Sequence, residues 1–240
     1  LGETEAMVAT AVRELVAGTV REAAEAWDQD ASFPAEALQA VAAQGLLGIL
    51  LDETAGGAGL DAQTLAVVGE TLADGDAGLA QTVVEHNAVL LALQLGWPGD
   101  EAAVQVADAI AGTWPLACGW EDGAAAARAT LLDDGGVVLS GHLPLVCSAE
   151  AAVAAGTLLV FGRDEAGAPV LCCLNARAAR AEGLRASQTG PLVGMRSARF
   201  AAVTLEGVAV PASGVLRGDE ARSVFEAART VARIGSAAVA

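Results

Sequence analysis

Residues Thr113 to Ser148 read TWPLACGWEDGAAAARATLLDDGGVVLSGHLPLVCS, and this stretch decides the fold class. The apolar run Trp114-Pro115-Leu116-Ala117-Cys118 leads into a turn, Gly119-Trp120-Glu121-Asp122-Gly123. Beyond it, Thr130-Leu131-Leu132 and Val137-Val138-Leu139 flank Asp133-Asp134-Gly135-Gly136. Asp and Gly tolerate the positive φ of tight hairpin turns, so two antiparallel strands are predicted here. The chain before this stretch reads as helix, and most of the chain after it reads as strand. A helical layer meeting a sheet at one seam is a natural place for a ligand cleft.

Working back towards the N-terminus, Val8, Val12, Leu15, Val16 and Val20 recur at helical spacing and predict one helix over 5–27. Asp28 to Ser32 breaks it, and Pro34 opens a second helix that Gly45 ends. Leu46 to Leu51 is an apolar run, followed by Gly57-x-Gly59-x-x-Ala62, which mimics a dinucleotide fingerprint. Two helices precede it and no alternation of strands and helices comes after, so a doubly wound nucleotide site is rejected. Helices are predicted over Ala62–Leu72, Ala77–Leu95 and Asp100–Ala111, with Leu65, Val68, Val83, His86, Leu90 and Leu93 on buried faces.

Forward of the hairpin, strands are predicted over Val153–Phe161, Pro169–Leu174, Phe200–Leu205 and Val208–Val210, with Gly207 as a bulge. A last helix starts near Asp219 and reaches Ala240 without a capping signal. Its apolar end reads as a structure that continues or that needs a partner. The domain expectation is helical over 1–112, β over 113–218, and the first helix of a further helical domain over 219–240.

Composition removes several function classes. Of 240 residues, 30 are acidic and 13 basic, all arginine, and the net charge of −17 repels nucleic acid phosphates. Tyr is absent and Phe scarce, which argues against a base-stacking platform. Although 54% of residues are hydrophobic, no run approaches the ~18 apolar residues of a membrane span. Leu1-Gly2-Glu3-Thr4-Glu5 lacks the basic start of a signal peptide. Cys118, Cys147, Cys172 and Cys173 show no metal-ligand spacing and read as free thiols in a reducing cytosol, so a cytoplasmic location and no metal are expected.

Three stretches carry a family resemblance. They are Phe33-Pro34-Ala35-Glu36 through Gly45-Leu46-Leu47-Gly48 with Gly56-Gly57-Ala58-Gly59-Leu60-Asp61; Gly75-Asp76-Ala77-Gly78-Leu79-Ala80 with His86; and Gly194-Met195-Arg196-Ser197 with Val203 to Pro211. In this order the chain resembles the N-terminal and middle domains of an acyl-CoA dehydrogenase. The resemblance implies an α+β fold: an N-terminal helical domain, an antiparallel β-barrel or sandwich domain, and the start of a C-terminal helical domain. It also implies FAD between the β-domain and a C-terminal four-helix domain. There a glutamate removes the α-proton of an acyl thioester while the β-hydride passes to flavin N5.

The segment that would hold the flavin in such a protein matches Ala117 to Ala126, and a second matches Leu145-Val146-Cys147. The cofactor-contacting positions carried over are Ala117, Gly119, Trp120, Leu145 and Cys147; the substrate-contacting ones are Ala126 and Arg233. Here the sequence departs from the family. Thr-Glu-Pro is replaced by Trp120-Glu121-Asp122, Gly-Ser by Ala125-Ala126, and Trp-Ile-Thr by Leu145-Val146-Cys147. Each lost hydrogen bond costs about 1 kcal/mol, and several together approach about a hundredfold in affinity. Loss of normal flavin binding by this chain is therefore expected over retention.

The family's base lies in the C-terminal domain or, in some members, at the position occupied here by Ala232, so no catalytic base is expected in this chain. Glu226 lies one turn too early and reads as solvated surface; His86 reads as packed; Glu121 as an acidic turn residue; Arg196 as the structural anchor of a β-domain turn. His142 has no visible acid partner, and Ser148 and Ser187 have no base at a readable spacing.

The expected function is that of an acyl-CoA dehydrogenase-type flavoprotein chain in fatty acid or lipid catabolism. It would serve as the cofactor-poor subunit of a heteromeric enzyme, or in a homo-oligomer, with electron-transfer flavoprotein as a further partner. A non-catalytic scaffold subunit and a member acting on a carrier-protein-bound acyl group are the alternatives.

Overall fold

The computed structural model describes residues 2–122, 126–175, 182–188, 190 and 192–240. It divides into one unit of Leu1–Trp114, Pro191–Arg199 and Thr230–Ala240, and another of Pro115–Gly190 and Phe200–Arg229.

The first unit is helical: α1 Glu3–Leu15, α2 Ala24–Asp30, α3 Ala35–Ala43, α4 Ala62–Ala73, α5 Ala77–Gly96 and α6 Asp100–Ile110. The single helix expected over 5–27 is corrected. A π-helical turn, Val16–Val20, comes after α1, with Arg21 N–H donating to Val16 C=O. Gly18 and β-branched Thr19 hold an α-helix weakly. The wider turn keeps both Val16 and Val20 buried, 2.8 and 2.9 Å from where a Cβ on Gly75 would lie. α2 runs on to Asp30 and ends at Ala31, whose left-handed backbone lets Ser32 N–H reach Trp27 C=O.

α5 lies at the centre of this unit, since fifteen of its 20 residues are buried and it has no solvent stripe. Asp76 caps it, its Oδ1 accepting Leu79 N–H at 2.6 Å and Ser197 Oγ–H at 2.6 Å. Asp61 caps α4 in the same way, accepting from Thr64 N–H and Oγ–H. These bonds hold the Asp61 carboxyl below the usual range. The apolar run at 46–51 forms turns rather than a strand. Asn87 of α5 holds it: Oδ1 accepts Ile49 N–H at 2.8 Å, and Nδ2 donates to Leu46 C=O and Val83 C=O at 3.0 Å each.

The second unit is built on one sheet. Its strands are β1 Leu116–Gly119, β2 Ala127–Leu131, β3 Val137–Val146, β4 Thr157–Arg163, β5 Pro169–Asn175, β6 Leu184–Gln188, β7 Ala201–Val210 and β8 Val215–Arg217. They are ordered β6-β7-β3-β2-β4-β5-β8, with β1 beside β4. The α+β reading holds, and the sheet is mostly antiparallel. Two pairings, β1–β4 and β2–β4, are parallel, because the β2–β3 hairpin and the helix α7 (Ala149–Ala155) form a crossover between β1 and β4.

The predicted hairpin is present, with Leu131 opposite Val137, Thr130 opposite Val138, and Gly135 at φ +88°. Val153 to Ala155, expected as strand, belong to α7, whose alanine-rich sequence favours helix. The two strands expected over 200–210 are one, β7. Leu139 faces Val208 and Ser140 faces Glu206, which leaves Gly207 as the bulged residue at φ +71°. A helix α8, Gly218–Val239, comes after β8; its residues through Arg229 belong to this unit and those from Thr230 to the first.

Candidate functional site

The segment Trp120–Asp122 after β1 is the centre of the candidate site, and its described partners below all belong to the second unit. Ala117 and Gly119 lie buried in β1, where Gly119 leaves no room for a side chain: a Cβ there would sit 2.6 Å from Leu143 Cδ1. Trp120 is next, half-buried, its ring centroid 5.9 Å from that of Phe225 on α8. Phe225 in turn stacks on Phe161 of β4, with centroids 4.1 Å apart and planes 13° from parallel. Both phenylalanines are about 1% exposed, so this is a rigid aromatic column with Trp120 at its outer end.

An ionic chain runs beside the column. Asp122 Oδ1 accepts Arg163 Nη2–H at 2.6 Å, and Asp122 Oδ2 lies 3.7 Å from Arg229 Nη1. Arg229 also donates to both oxygens of Glu226, at 2.5 and 3.2 Å. Each guanidinium lies over a ring of the column, Arg229 at 4.9 Å from the Phe225 centroid and Arg163 at 5.8 Å from that of Phe161. Glu226, expected as solvated surface, is thus a member of the chain, because Glu226 and Arg229 lie at i and i+3 on α8, where side chains are neighbours.

Glu121 also departs from its expected role as an ordinary turn residue. Its Oε2 is buried and meets no hydrogen-bond partner among the described residues. Burial pushes its carboxyl above the usual range, opposed by its own backbone N–H and by the charge of His142. His142, expected without an acid neighbour, therefore lies within electrostatic reach of Glu121; its Nδ1 is 3.4 Å from Thr204 Oγ1.

The second flavin-matching segment lies at the end of β3. Leu145 is 48% exposed, whereas Cys147 is buried, its Sγ 3.8 Å from Ser148 Oγ. Ala126 precedes β2 and carries no donor; Gly123 and Ala125 lie outside the described residues. Arg233 is exposed on the part of α8 that belongs to the first unit. The structure therefore gathers Ala117, Gly119, Trp120, Ala126, Leu145 and Cys147 in one unit and leaves Arg233 in the other. Sequence reasoning missed Asp122, Phe161, Arg163 and Phe225. Only the Pro-to-Asp exchange at 122 signalled that this turn had acquired a new partner.

Elsewhere, His86 is packed as expected: Nε2–H donates to Ala109 C=O at 3.0 Å, and burial pushes its pKa down to about 4. Arg196, expected to anchor a β-domain turn, belongs instead to the helical unit, where its backbone N–H donates to Asp28 Oδ1 at 3.2 Å. Burial pushes the Cys172 thiol up to about 12, which leaves it unreactive near neutral pH. No helix among the described residues is long and apolar enough to cross a membrane.

Known proteins share this architecture. The acyl-CoA dehydrogenase N-terminal domain family matches residues 2–103. The chain has an acyl-CoA dehydrogenase fold. Butyryl-CoA dehydrogenase from Megasphaera elsdenii superposes with a TM-score of 0.83 at 20% identity, over 100% of this chain and 65% of that one. Glutaryl-CoA dehydrogenase from Mycobacterium smegmatis in complex with FADH2 gives 0.82 at 20% identity, over 98% and 62%. The prolyl acyl carrier protein oxidase AnaB gives 0.82 at 19% identity, over 100% and 65%. No curated protein matches the sequence. The chain thus spans a little under two thirds of the solved acyl-CoA dehydrogenase-type chains it resembles.

The residues present do not fit FAD in the way the acyl-CoA dehydrogenase pattern uses. That pattern places hydroxyl donors at 120, 126 and 147 and a ring at 145. Here those positions hold an indole packed on Phe225, a methyl, a buried thiol and an aliphatic side chain.

Proposed function

We propose that this chain is an acyl-CoA dehydrogenase-type subunit that takes part in α,β-dehydrogenation of an acyl-CoA thioester inside a heteromeric enzyme. A second acyl-CoA dehydrogenase-like chain supplies the flavin contacts and the base. The observation that carries this reading is the contrast between an intact scaffold and an altered flavin segment. Capping by Asp61 and Asp76, the Asn87 clamp and the β7 bulge are all in place. Meanwhile Trp120, Ala126, Leu145 and Cys147 replace the family's donors. In this reading α8 is the first helix of a C-terminal helical domain, Arg233 on it faces the acyl thioester, and electron-transfer flavoprotein accepts the electrons. The protein works in the cytoplasm, in lipid catabolism.

FAD content of the natively purified assembly, with every co-purifying chain identified by mass, tests it. Half occupancy together with a second dehydrogenase-like chain is the expected result. One FAD per copy of this chain refutes the cofactor-poor assignment, and an assembly devoid of flavin leaves a scaffold role instead. Likeness to a prolyl acyl carrier protein oxidase favours one alternative substrate, an acyl group on a carrier protein. Turnover of a carrier-protein thioester, with none of the matching CoA thioester, would select it.

A further inference from the structure

The replaced positions are not simply empty of donors; one of them has been built into a fixed structure. Trp120 stands where the acyl-CoA dehydrogenase pattern has a threonine beside the flavin, and Asp122 where it has a proline. In this structure the two changes act together. Asp122 ties the turn to α8 and to β4 through Arg229 and Arg163, and the indole of Trp120 rests on Phe225, one helical turn before Arg229. The Arg229 side chain is 13% exposed, that of Asp122 24% and that of Arg163 29%. These charges are largely withdrawn from water, unlike a solvated surface pair, so removing one partner leaves an uncompensated charge. Beneath them Phe161 and Phe225 stack with no room to retreat, being about 1% exposed. The indole therefore has a floor that cannot yield and a clasp that holds the turn carrying it.

We infer that Trp120, clasped by Asp122 onto the Phe225–Phe161 column, is the residue that excludes the isoalloxazine ring from this chain. Lost hydrogen bonds alone would only weaken binding, and donors on a partner or the backbone could compensate for them. A pinned indole removes the space itself. The inference rests on the cofactor-poor assignment and names the device behind it.

The test separates lost donors from lost space, using the full 240-residue chain, FAD as the probe and quenching of FAD fluorescence as the readout. One variant restores the donors and ring alone, Ala126→Ser, Leu145→Trp and Cys147→Thr, and keeps Trp120. The other adds Trp120→Val, which opens the space of a threonine without restoring its hydroxyl. Near-UV circular dichroism and thermal melting establish that both are folded. The donor-restored chain with Trp120 is expected to bind no better than the unaltered chain, and the fourth change to tighten FAD binding by at least about a hundredfold. Equal FAD affinity of the two variants, or a folded four-change chain that still binds no FAD, would overturn the inference.

Asp122→Asn in the donor-restored background leaves the indole in place and loosens the clasp. A gain of about tenfold or more is expected, and no gain refutes the clasp. Should the four-change chain stay flavin-free while the native assembly carries flavin on its partner, the exclusion device fails and the proposed function stands. FAD binding by the four-change chain beside a flavin-free native assembly means the reverse: the exclusion device stands and the proposed function fails.

Discussion

Acidification should weaken this protein through one buried histidine. His86 is buried in the helical unit, with the backbone carbonyl of Ala109 as a hydrogen-bond partner at 3.0 Å. Desolvation disfavours the imidazolium more strongly than that bond favours it, so the pKa falls from 6.5 to about 4 on folding. Proton uptake sets the sign. Above about pH 6.5 neither state holds the proton, and below about pH 4 both do. Between those values only the unfolded chain takes it up, so stability falls as the pH falls. The fall from 6.5 to about 4, at about 1.4 kcal/mol per pH unit, gives about 3 kcal/mol over the whole window, about 2 kcal/mol of it by pH 5.

Urea unfolding followed by far-UV circular dichroism, at steps from about pH 7.5 to about pH 5, measures this directly when wild type is compared with His86→Gln. Glutamine keeps an N–H for Ala109 and does not titrate, so carboxylate contributions common to both chains cancel. The wild-type advantage at neutral pH should shrink by about 2 kcal/mol on reaching about pH 5. A difference that stays constant with pH would show that His86 does not titrate between the two states and would refute the reasoning.

The scaffold makes two further predictions. Asn87→Ala removes three hydrogen bonds to the 46–51 turns and α5, leaving buried backbone groups unpaired, and should cost about 3 kcal/mol or more in urea unfolding. Asn87→Asp, which keeps the acceptor but sets a buried carboxylate oxygen against the carbonyls of Leu46 and Val83, should not recover it. Gly78→Ala places a methyl on Ser197 Oγ and 2.7 Å from Ala198 N, and should destabilise by about 1–3 kcal/mol. If it instead melts with the wild type, the 196–199 turn can move away from α5.

The sequence by itself determined the elements whose causes are local. Helices from Ala62 and from Ala77 were legible along the chain, and the structure adds their caps, Asp61 and Asp76, each accepting a backbone N–H three residues on. Asp133 to Gly136 mark a hairpin because the turn needs positive φ, and Gly207 marks a bulge for the same reason. Those signals sufficed for an α+β chain with a strand-rich second half. They missed β1, an apolar run whose strand partner β4 lies far along the chain, and β6 and β8, short strands held by pairing with β7 and β5. They also misjudged 153–155, where alanine-rich helix outweighed an apolar run that resembled a strand.

Of the candidate site, the sequence located the positions and not their partners. Trp120, Leu145 and Cys147 were legible because they break a recognisable pattern. That Trp120 rests on Phe225, 105 positions away (225 − 120), and that Asp122 meets both Arg163 and Arg229, were not. No periodicity links a turn, a strand end and a helix face. Glu226 read as solvated surface, and its link to Asp122 runs through Arg229, its i+3 neighbour on α8. Local backbone preferences act over a few residues and can be read along the chain. Packing and charge pairing act over a few ångströms, and only the folded arrangement decides which residues those are.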